Sequence, residues 1–293
     1  MVISSNLNAF LSVAEHESFT KAASDLHISQ PAVSKAISAL EDELGVQLFW
    51  RSKRNGLILT DAGHQILVIA RQMKQLEDNI RQTANRANQM LEGTLRIASM
   101  PITSTMILAE LIPKFHKKYP NIQIEIYEGT NWEVKQAIET YKAEIGFAIS
   151  PFDPCEYMEL FCDSMVAVLP PDISIPKCGY IDLNSYEPPL LFGKAAHEVI
   201  ADNLKKRGKF IQNARVYMQC DTVLAMVKNG CGTGILSKAA LDTYSQNLRT
   251  CPIHPQVDTK YGVITHDFSQ LSPAATSFFE MIQSRKKDRF RRT

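Results

Sequence analysis

The sequence predicts a multidomain fold: a small all-α head with a short hairpin, one long linker helix, and an α/β domain built from two series of strands and helices. Three observations predict it. Apolar residues recur at helical spacing up to Leu44, and they recur again as one stripe over residues 61–91. From Gly93 onward, short apolar runs alternate with helical segments. At 293 residues and 45% hydrophobic composition, the chain can bury more than one core.

Composition limits the classes of function. The net charge is only +1, so bulk electrostatics give no evidence for a nucleic-acid partner, and any such evidence must be local. The first residues are too polar for a signal peptide and no run of about 18 apolar residues occurs, so we expect a cytoplasmic protein. The 6 cysteines form no CxxC pair, which predicts neither a zinc site nor a disulfide framework. No metal or cofactor is expected.

The head is predicted to contain three helices, over residues 7–16, 21–27 and 30–44. Thr20 is the expected N-cap of the second helix. The third helix has the strongest boundary signals, because Ser29 can cap it, Pro31 fits its first turn and Gly45 ends it.

The third helix has two faces. Val33, Ile37 and Leu40 share the apolar face, whereas Gln30, Ser34 and Lys35 lie mostly outward. A short turn before such a helix is typical of a recognition helix in the DNA major groove, where Gln pairs with adenine and Ser or Lys reaches bases and phosphates. The alternative is a small three-helix packing module with a solvated face.

A basic hairpin follows the third helix. Apolar runs at 46–49 and 57–59 flank the segment 51–56, which has Asn-Gly at its turn. This pattern predicts a wing whose cations Arg51, Lys53 and Arg54 hold the DNA backbone. Trp50 is larger than expected beside such a wing.

One long helix is predicted from Asp61 to about Leu91, with Thr60 as its cap. A single apolar seam on an otherwise polar helix indicates a partner helix. The seam residues are Ile66, Ile69, Met73, Leu76, Ile80, Thr83, Ala87 and Met90.

The remainder is predicted as α/β with mostly parallel pairing. Strands are expected at 94–99, 122–127, 145–149, 164–169, 189–192, 214–218, 233–236 and 260–266. Helices are expected at 103–119, 131–141, 196–207, 221–229, 237–243 and 272–285.

Four segments of the head carry a specific resemblance. They are FTKAASDLHISQPAVS at 19–34, LEDELG at 40–45, LFWR at 48–51 and LTDAG at 59–63. Together they resemble the signature of LysR-type transcription regulators. The resemblance is strong over residues 7–63 and looser beyond.

The resemblance implies an architecture. It comprises a winged helix-turn-helix DNA-binding domain at 1–60, a dimerising linker helix at 61–91 and an effector-binding domain at 92–293 that is similar to periplasmic type 2 binding proteins. Lobe I is expected at about 92–161 and 267–293, and lobe II at about 162–266. The implied partners are double-stranded operator DNA with an inverted repeat, a small-molecule effector and further copies of the chain, as a homodimer and then a homotetramer. RNA polymerase is a further candidate partner.

The resemblance also assigns site residues. The DNA-contacting positions map onto Gln30, Pro31, Ser34, Lys35, Arg51, Lys53 and Arg54. The effector positions map onto Ser99, Met100, Thr103, Thr130, Phe192 and Gly193. Because Thr103 is expected at a helix N-terminus, where free N–H groups favour an anion, a small carboxylate is a candidate effector. The alternative is that Ser99, Thr103 and Thr130 serve only as caps and turns.

Other features leave alternatives open. Asp221 either caps its helix or faces the cleft. Cys220, next to a helix start, is a candidate redox sensor, but the close cysteine pair of peroxide-sensing relatives is absent from 192–204. Gly230-Cys-Gly-Thr-Gly234 follows a helix and precedes a strand, which indicates a helix end rather than a dinucleotide loop.

The sequence can be interpreted in terms of three functions. The favoured one is an effector-dependent regulator, and the alternative is a constitutive DNA-binding regulator whose C-terminal domain only oligomerises. An enzyme or transport protein is disfavoured, because no Ser-His-Asp order, metal cluster or signal peptide supports it.

Overall fold

The structure is a computed structural model that describes residues 4–52, 56–87, 91–211, 213–244 and 248–290, with side chains described outside 51–56 and 287–290. It has an α-helical head, a long helix and an α/β part with two lobes. Among the helices of these ranges, none has the length and apolar character needed to cross a bilayer.

The head consists of three helices and a two-stranded antiparallel hairpin. They are α1 (Ser5–His16), α2 (Phe19–Asp25), α3 (Gln30–Leu44), β1 (Phe49–Ser52) and β2 (Gly56–Leu59). The predicted boundaries of α3 are confirmed, because the Ser29 side chain accepts from Ala32 N and Gly45 ends the helix in the left-handed conformation at φ 69°. Lys53, Arg54 and the Asn55 turn position lie outside the described residues.

The N-cap of α2 differs from our prediction. The helix begins at Phe19, and the side chain of Ser18, not Thr20, accepts from Lys21 N. Phe19 packs on the ring of Phe49 at a centroid distance of 6.2 Å. The helix thus starts two residues earlier than predicted, with the half-buried Phe19 as its first residue.

The base of the hairpin forms hydrogen bonds with α3 and with the start of the next helix. The Glu41 carboxylate on α3 accepts from Leu48 N at 2.8 Å. The Thr60 hydroxyl donates to Gln47 O and accepts from Gly63 N at 2.9 Å, which makes it the predicted cap of the next helix. A Cβ on Gly63 would lie 2.2 Å from Leu48 O, so only glycine allows this helix to approach the hairpin.

Helix α4 (Asp61–Ala87) joins the head to the rest of the chain. Four apolar seam residues, Ile69, Met73, Leu76 and Ile80, are between 42% and 59% exposed. Another face of α4 packs on the α/β part through polar side chains. Gln82 is 2% exposed, donates to Thr94 O at 3.2 Å and accepts from Ala274 N at 3.0 Å.

The described residues of the α/β part form ten strands. They are β3 (Gly93–Ser99), β4 (Ile122–Glu128), β5 (Ile145–Ile149), β6 (Glu156–Leu169), β7 (Ile181–Asp182), β8 (Leu190–Gly193), β9 (Ala214–Tyr217), β10 (Thr233–Ser237), β11 (Arg249–His254) and β12 (Asp258–Thr265). Their main path runs β4-β3-β5-β12-β6-β10-β8-β9, with β11 beside β6 and β7. Pairing is parallel around β3 and β8, and antiparallel wherever β6 or β12 takes part.

The helices of the α/β part cover both faces of this sheet. They are α5 (Pro101–Thr103), α6 (Ala109–Lys118), α7 (Asn131–Glu139), α8 (Lys194–Lys206), α9 (Cys220–Lys228), α10 (Lys238–Thr243) and α11 (Pro273–Phe290). The predicted helix at 103–119 begins two residues earlier and includes a π-helical turn, Ser104–Leu108, between α5 and α6. A short 3₁₀ turn, Phe268–Gln270, precedes α11.

The chain passes between lobes twice. Residues 156–164 of β6 pair with β12 in lobe I, and residues 165–169 pair with β10 and β11 in lobe II. The chain returns to lobe I within β12, whose residues 261–264 pair with β5. Helix α11 also packs in lobe I, where Phe278 meets Phe115 edge-on at 5.1 Å.

Three strand regions differ from the prediction. The short strand β7 was not predicted. The first half of β6 was not predicted, because Glu156, Glu159 and Asp163 interrupt its apolar pattern. Strand β11 was not predicted either, because Pro252 argues against a strand. In the first half of β6 only Leu160 is buried, whereas exposed and buried residues alternate from Thr250 to His254 in β11.

We predict that Gly63→Ala destabilises the protein by about 2–3 kcal/mol, because the added Cβ forces the hairpin away from α4. Urea unfolding followed by circular dichroism measures this change. His64→Ala, an exposed neighbour on the same helix, is the control and should unfold as the wild type. Equal stability of the two variants would contradict the close contact.

Candidate functional site

The first turn of α3 is the candidate DNA-contacting surface. Gln30, Pro31 and Lys35 are exposed and Ser34 is half-buried, while Val33, Ile37 and Leu40 are buried beneath them. The spacing of three and four residues puts the four polar-face positions on one side of the helix. Among the described residues, no carboxylate lies within 4 Å of the Lys35 ammonium. This cation is therefore available to a phosphate.

The wing is described only in part. Arg51 lies in β1, opposite Leu57 in β2. Trp50 is exposed beside it and pairs across the hairpin with Ile58, which is also exposed. The large side chain noted in the sequence thus forms an apolar patch on the hairpin.

A cavity of about 310 Å³ separates the two lobes. Its lobe I side includes Met100, Pro101, Ile102, Glu128, Thr130 and Glu133. Its lobe II side includes Gly193, Lys194, Met218, Gln219, Cys220 and Tyr244. Most of these residues follow the carboxyl ends of parallel strands, which is where α/β folds bind ligands.

Helix starts converge on this cavity. The N-cap residues Met100, Gly193 and Gln219 of α5, α8 and α9 make no side-chain capping hydrogen bond. Backbone N–H groups at the starts of α8 and α9 are therefore left for a ligand or for water.

Helix α7, by contrast, begins with a capping box. Thr130 Oγ1 accepts from Glu133 N at 3.3 Å, and Glu133 Oε2 accepts from Thr130 N at 2.7 Å. This backbone hydrogen bond lowers the pKa of Glu133 below its usual value, so the carboxylate is charged at neutral pH. Asn131 is also engaged, since its side-chain amide bonds both Ile149 N and Ile149 O.

The structure divides the six predicted effector residues into two groups. Met100, Thr130 and Gly193 line the cavity. Ser99 and Thr103 lie behind it, almost fully buried, with their hydroxyl oxygens 2.8 Å apart and Thr103 donating to Met100 O. Phe192 is buried in the lobe II core, where it meets His197 edge-on at 5.5 Å.

Other residues that line the cavity were not among the predicted effector residues. Lys194 and Tyr244 come from lobe II and Glu128 from lobe I, so only the folded topology brings them together. A local signal existed for Lys194, which directly follows the predicted Gly193 at a strand end.

Asp221 meets neither alternative as stated, since it is not the N-cap residue of α9 and is not among the residues that line the cavity. The N-cap of α9 is Gln219, and Asp221 is the second residue of the helix, where its Oδ1 accepts from Thr222 N at 2.7 Å. Its charge is felt by Tyr244, whose pKa is raised by burial and then by Cys220, Asp221 and Glu128.

The glycine-rich segment after α9 is a turn, as predicted. Gly230 has φ 74°, and a Cβ on Gly232 (φ 150°) would lie 2.4 Å from Pro189 O. The glycines thus let the chain leave α9 and enter β10 against the neighbouring loop.

Two protein-family models match this chain, one in its N-terminal part and one in its C-terminal part. Residues 4–64 match the family model of bacterial regulatory helix-turn-helix proteins of the lysR family, and residues 88–287 match that of the LysR substrate binding domain. An uncharacterized HTH-type transcriptional regulator of Bacillus subtilis (strain 168), YoaU, is 41% identical over 97% of this chain and 99% of its own.

Solved structures are similar over nearly the whole chain. A full-length OxyR variant from Pseudomonas aeruginosa is 22% identical with a TM-score of 0.74, and covers 95% of this chain and 93% of its own. Full-length CbnR in complex with its target DNA is 23% identical with a TM-score of 0.62, and covers 95% and 98%. These two structures support the fold.

We predict that Cys220 stays reduced and unlabelled at neutral pH. Burial raises the pKa of its thiol to about 11, so at pH 7.5 fewer than about one thiol in a thousand is ionised. Mass spectrometry after brief iodoacetamide or peroxide treatment should find Cys220 unmodified, with the exposed Cys178 as the reactive control. Modification of Cys220 as fast as that of Cys178 would revive the redox-sensor alternative.

Proposed function

The chain belongs to the LysR family of DNA-binding transcription regulators, and we propose that it reads its operator with the first turn of α3 and responds to a small molecule held between its lobes. One observation carries the proposal: an exposed recognition surface and a cavity at converging helix starts occur in the same chain. No catalytic role is needed to explain either feature.

The proposed DNA contacts divide into reading and anchoring. Gln30 is placed to pair with a base edge, and Ser34, with Pro31 beside it, fixes how closely the helix enters the groove. Lys35 and the wing cations Arg51, Lys53 and Arg54 are proposed to contact phosphates. Because the chain's net charge is only +1, these few cations must supply the local attraction.

We propose that α4 pairs with α4 of a second copy. Its exposed stripe of Ile69, Met73, Leu76 and Ile80 is too apolar for a helix that remains in water. A two-fold dimer would present two α3 helices, which matches an inverted repeat in the DNA. Two such dimers would form the tetramer, and activation would also require contact with RNA polymerase.

The cavity is proposed as the effector site, with Met100, Thr130 and Gly193 in contact with the ligand. Ser99 and Thr103 would then support the Met100 turn from behind, and Phe192 would support Gly193. A ligand acts only if it binds one arrangement of the lobes more tightly than another. The two lobes are joined by β6 and β12. A ligand that contacts both lobes therefore favours the arrangement in which the lobes are close together.

We predict that Gln30→Ala weakens operator binding by about tenfold, because a bidentate base contact contributes about 1–3 kcal/mol. An operator would first be selected from a random duplex library with the purified protein, and affinities then measured at fixed salt. Gln65→Ala, an exposed residue of α4, is the control.

Thermal unfolding of the same variant distinguishes a loss of DNA recognition from a loss of folding. The thermal unfolding of Gln30→Ala should match that of the wild type, since its side chain is exposed. Unchanged affinity, or loss of affinity together with folding, would contradict the reading role. Footprints with and without small carboxylates then test whether a ligand alters the complex.

We predict that Ile69→Glu combined with Leu76→Glu dissociates the dimer, because it would bury two charges in the seam. Light scattering should report half the mass of the wild type. His64→Glu with Arg86→Glu changes exposed positions on another side of α4 and should leave the mass unaltered. An unchanged mass in the seam variant would exclude this stripe as the interface.

A further inference from the structure

The charges that line the cavity define a ligand class, and we propose that the effector is a small zwitterion of the α-amino-acid type with an apolar side chain. Its ammonium group would lie against Glu128 of lobe I. Its carboxylate would lie against Lys194 and the starts of α8 and α9 in lobe II. This inference rests on the proposed effector role of the cavity.

Glu128 supplies an unpaired negative charge. It is the last residue of β4, lines the cavity and, among the described residues, has no hydrogen bond or ion pair through its carboxylate. Its charge acts on Tyr244, which belongs to the opposite lobe. The carboxylate therefore faces the cavity from lobe I and is free to take an ammonium group.

Glu133 adds a second carboxylate to the lobe I side of the cavity. Its carboxylate is held on Thr130 N, and it stays charged for the reason given above. Two carboxylates against one lysine make the cavity lining acidic overall. A ligand that carries only negative charge is poorly matched to such a lining.

Lys194 supplies the opposite charge from lobe II. It is the first residue of α8, where the helix dipole disfavours a cation. In the described structure no carboxylate lies within 4 Å of its ammonium group, and at longer range its charge acts on Glu133 of lobe I. A ligand carboxylate would relieve this repulsion and would also accept from the uncapped N–H groups beside Gly193 and Gln219.

The two charges lie on different lobes, and this placement links binding to closure. A simple carboxylate would satisfy Lys194 and leave Glu128 unpaired, whereas a simple amine would do the reverse. A zwitterion pairs both and so holds the lobes together. Met100, Ile102 and Met218 form apolar walls, and about 310 Å³ lies at the small end of ligand cavities, which suits one apolar side chain.

The test uses the full-length protein and a panel of the twenty common α-amino acids, read by thermal shift and then by calorimetry. We expect at least one apolar amino acid to raise Tm. For each hit, the matching deaminated acid and decarboxylated amine should bind at least tenfold more weakly. For phenylalanine, these are 3-phenylpropionate and phenethylamine.

Variants assign the two ends of the ligand. Glu128→Gln and Lys194→Met should each weaken binding of the amino acid at least tenfold. Glu128→Gln should also reduce the difference in affinity between the amino acid and its deaminated acid, because the deaminated acid has no ammonium group for Glu128 to bind. Glu198→Gln and Lys205→Met, exposed positions of α8 outside the cavity lining, are the matched controls. Unliganded Tm reports whether each variant folds.

The outcomes separate two failures. Deaminated acids that bind as tightly as the amino acids, or a panel in which no amino acid raises Tm, would overturn the zwitterion. Operator affinity of the unliganded protein is measured in the same preparation, and its absence would overturn the regulator itself. Normal operator binding without any response to amino acids overturns only the ligand class.

Discussion

The antiparallel ladder between β6 and β12 is the constraint on which the α/β part depends. Both strands leave one lobe and enter the other, so the lobes share continuous backbone instead of a flexible tether. Any rotation of one lobe relative to the other would therefore have to twist this ladder, since breaking its hydrogen bonds costs free energy. A bulge between Tyr261 and Gly262 lies along it. The cavity exists because the helix starts on either side of this ladder face each other.

Sequence reasoning succeeded where local chemistry decides the structure. The start and end of α3 follow from Ser29, Pro31 and Gly45, which act on their immediate neighbours. The start of α2 was misplaced because Ser18 and Thr20 are both good caps, and the choice between them depends on a ring contact between Phe19 and Phe49 that is distant in sequence.

The candidate site was predicted in the same uneven way. Met100, Thr130 and Gly193 stand at strand ends, and a strand end can be recognised in a sequence. Ser99 is the last residue of β3, and alternation along the strand turns its side chain into the core. That Glu128 and Lys194 line one cavity could not be predicted, because it depends on how two lobes face each other.

The polar contacts between α4 and lobe I limit how the linker helix can move relative to that lobe. Gln82 bonds to β3 and to the start of α11, Asn79 donates to Gln270 O at 3.2 Å, and Arg96 pairs with Asp78. The linker is thus fastened to lobe I by side-chain hydrogen bonds and an ion pair. A rotation of lobe II alone would leave these bonds intact, and it would therefore leave the orientation of α4 on lobe I unchanged.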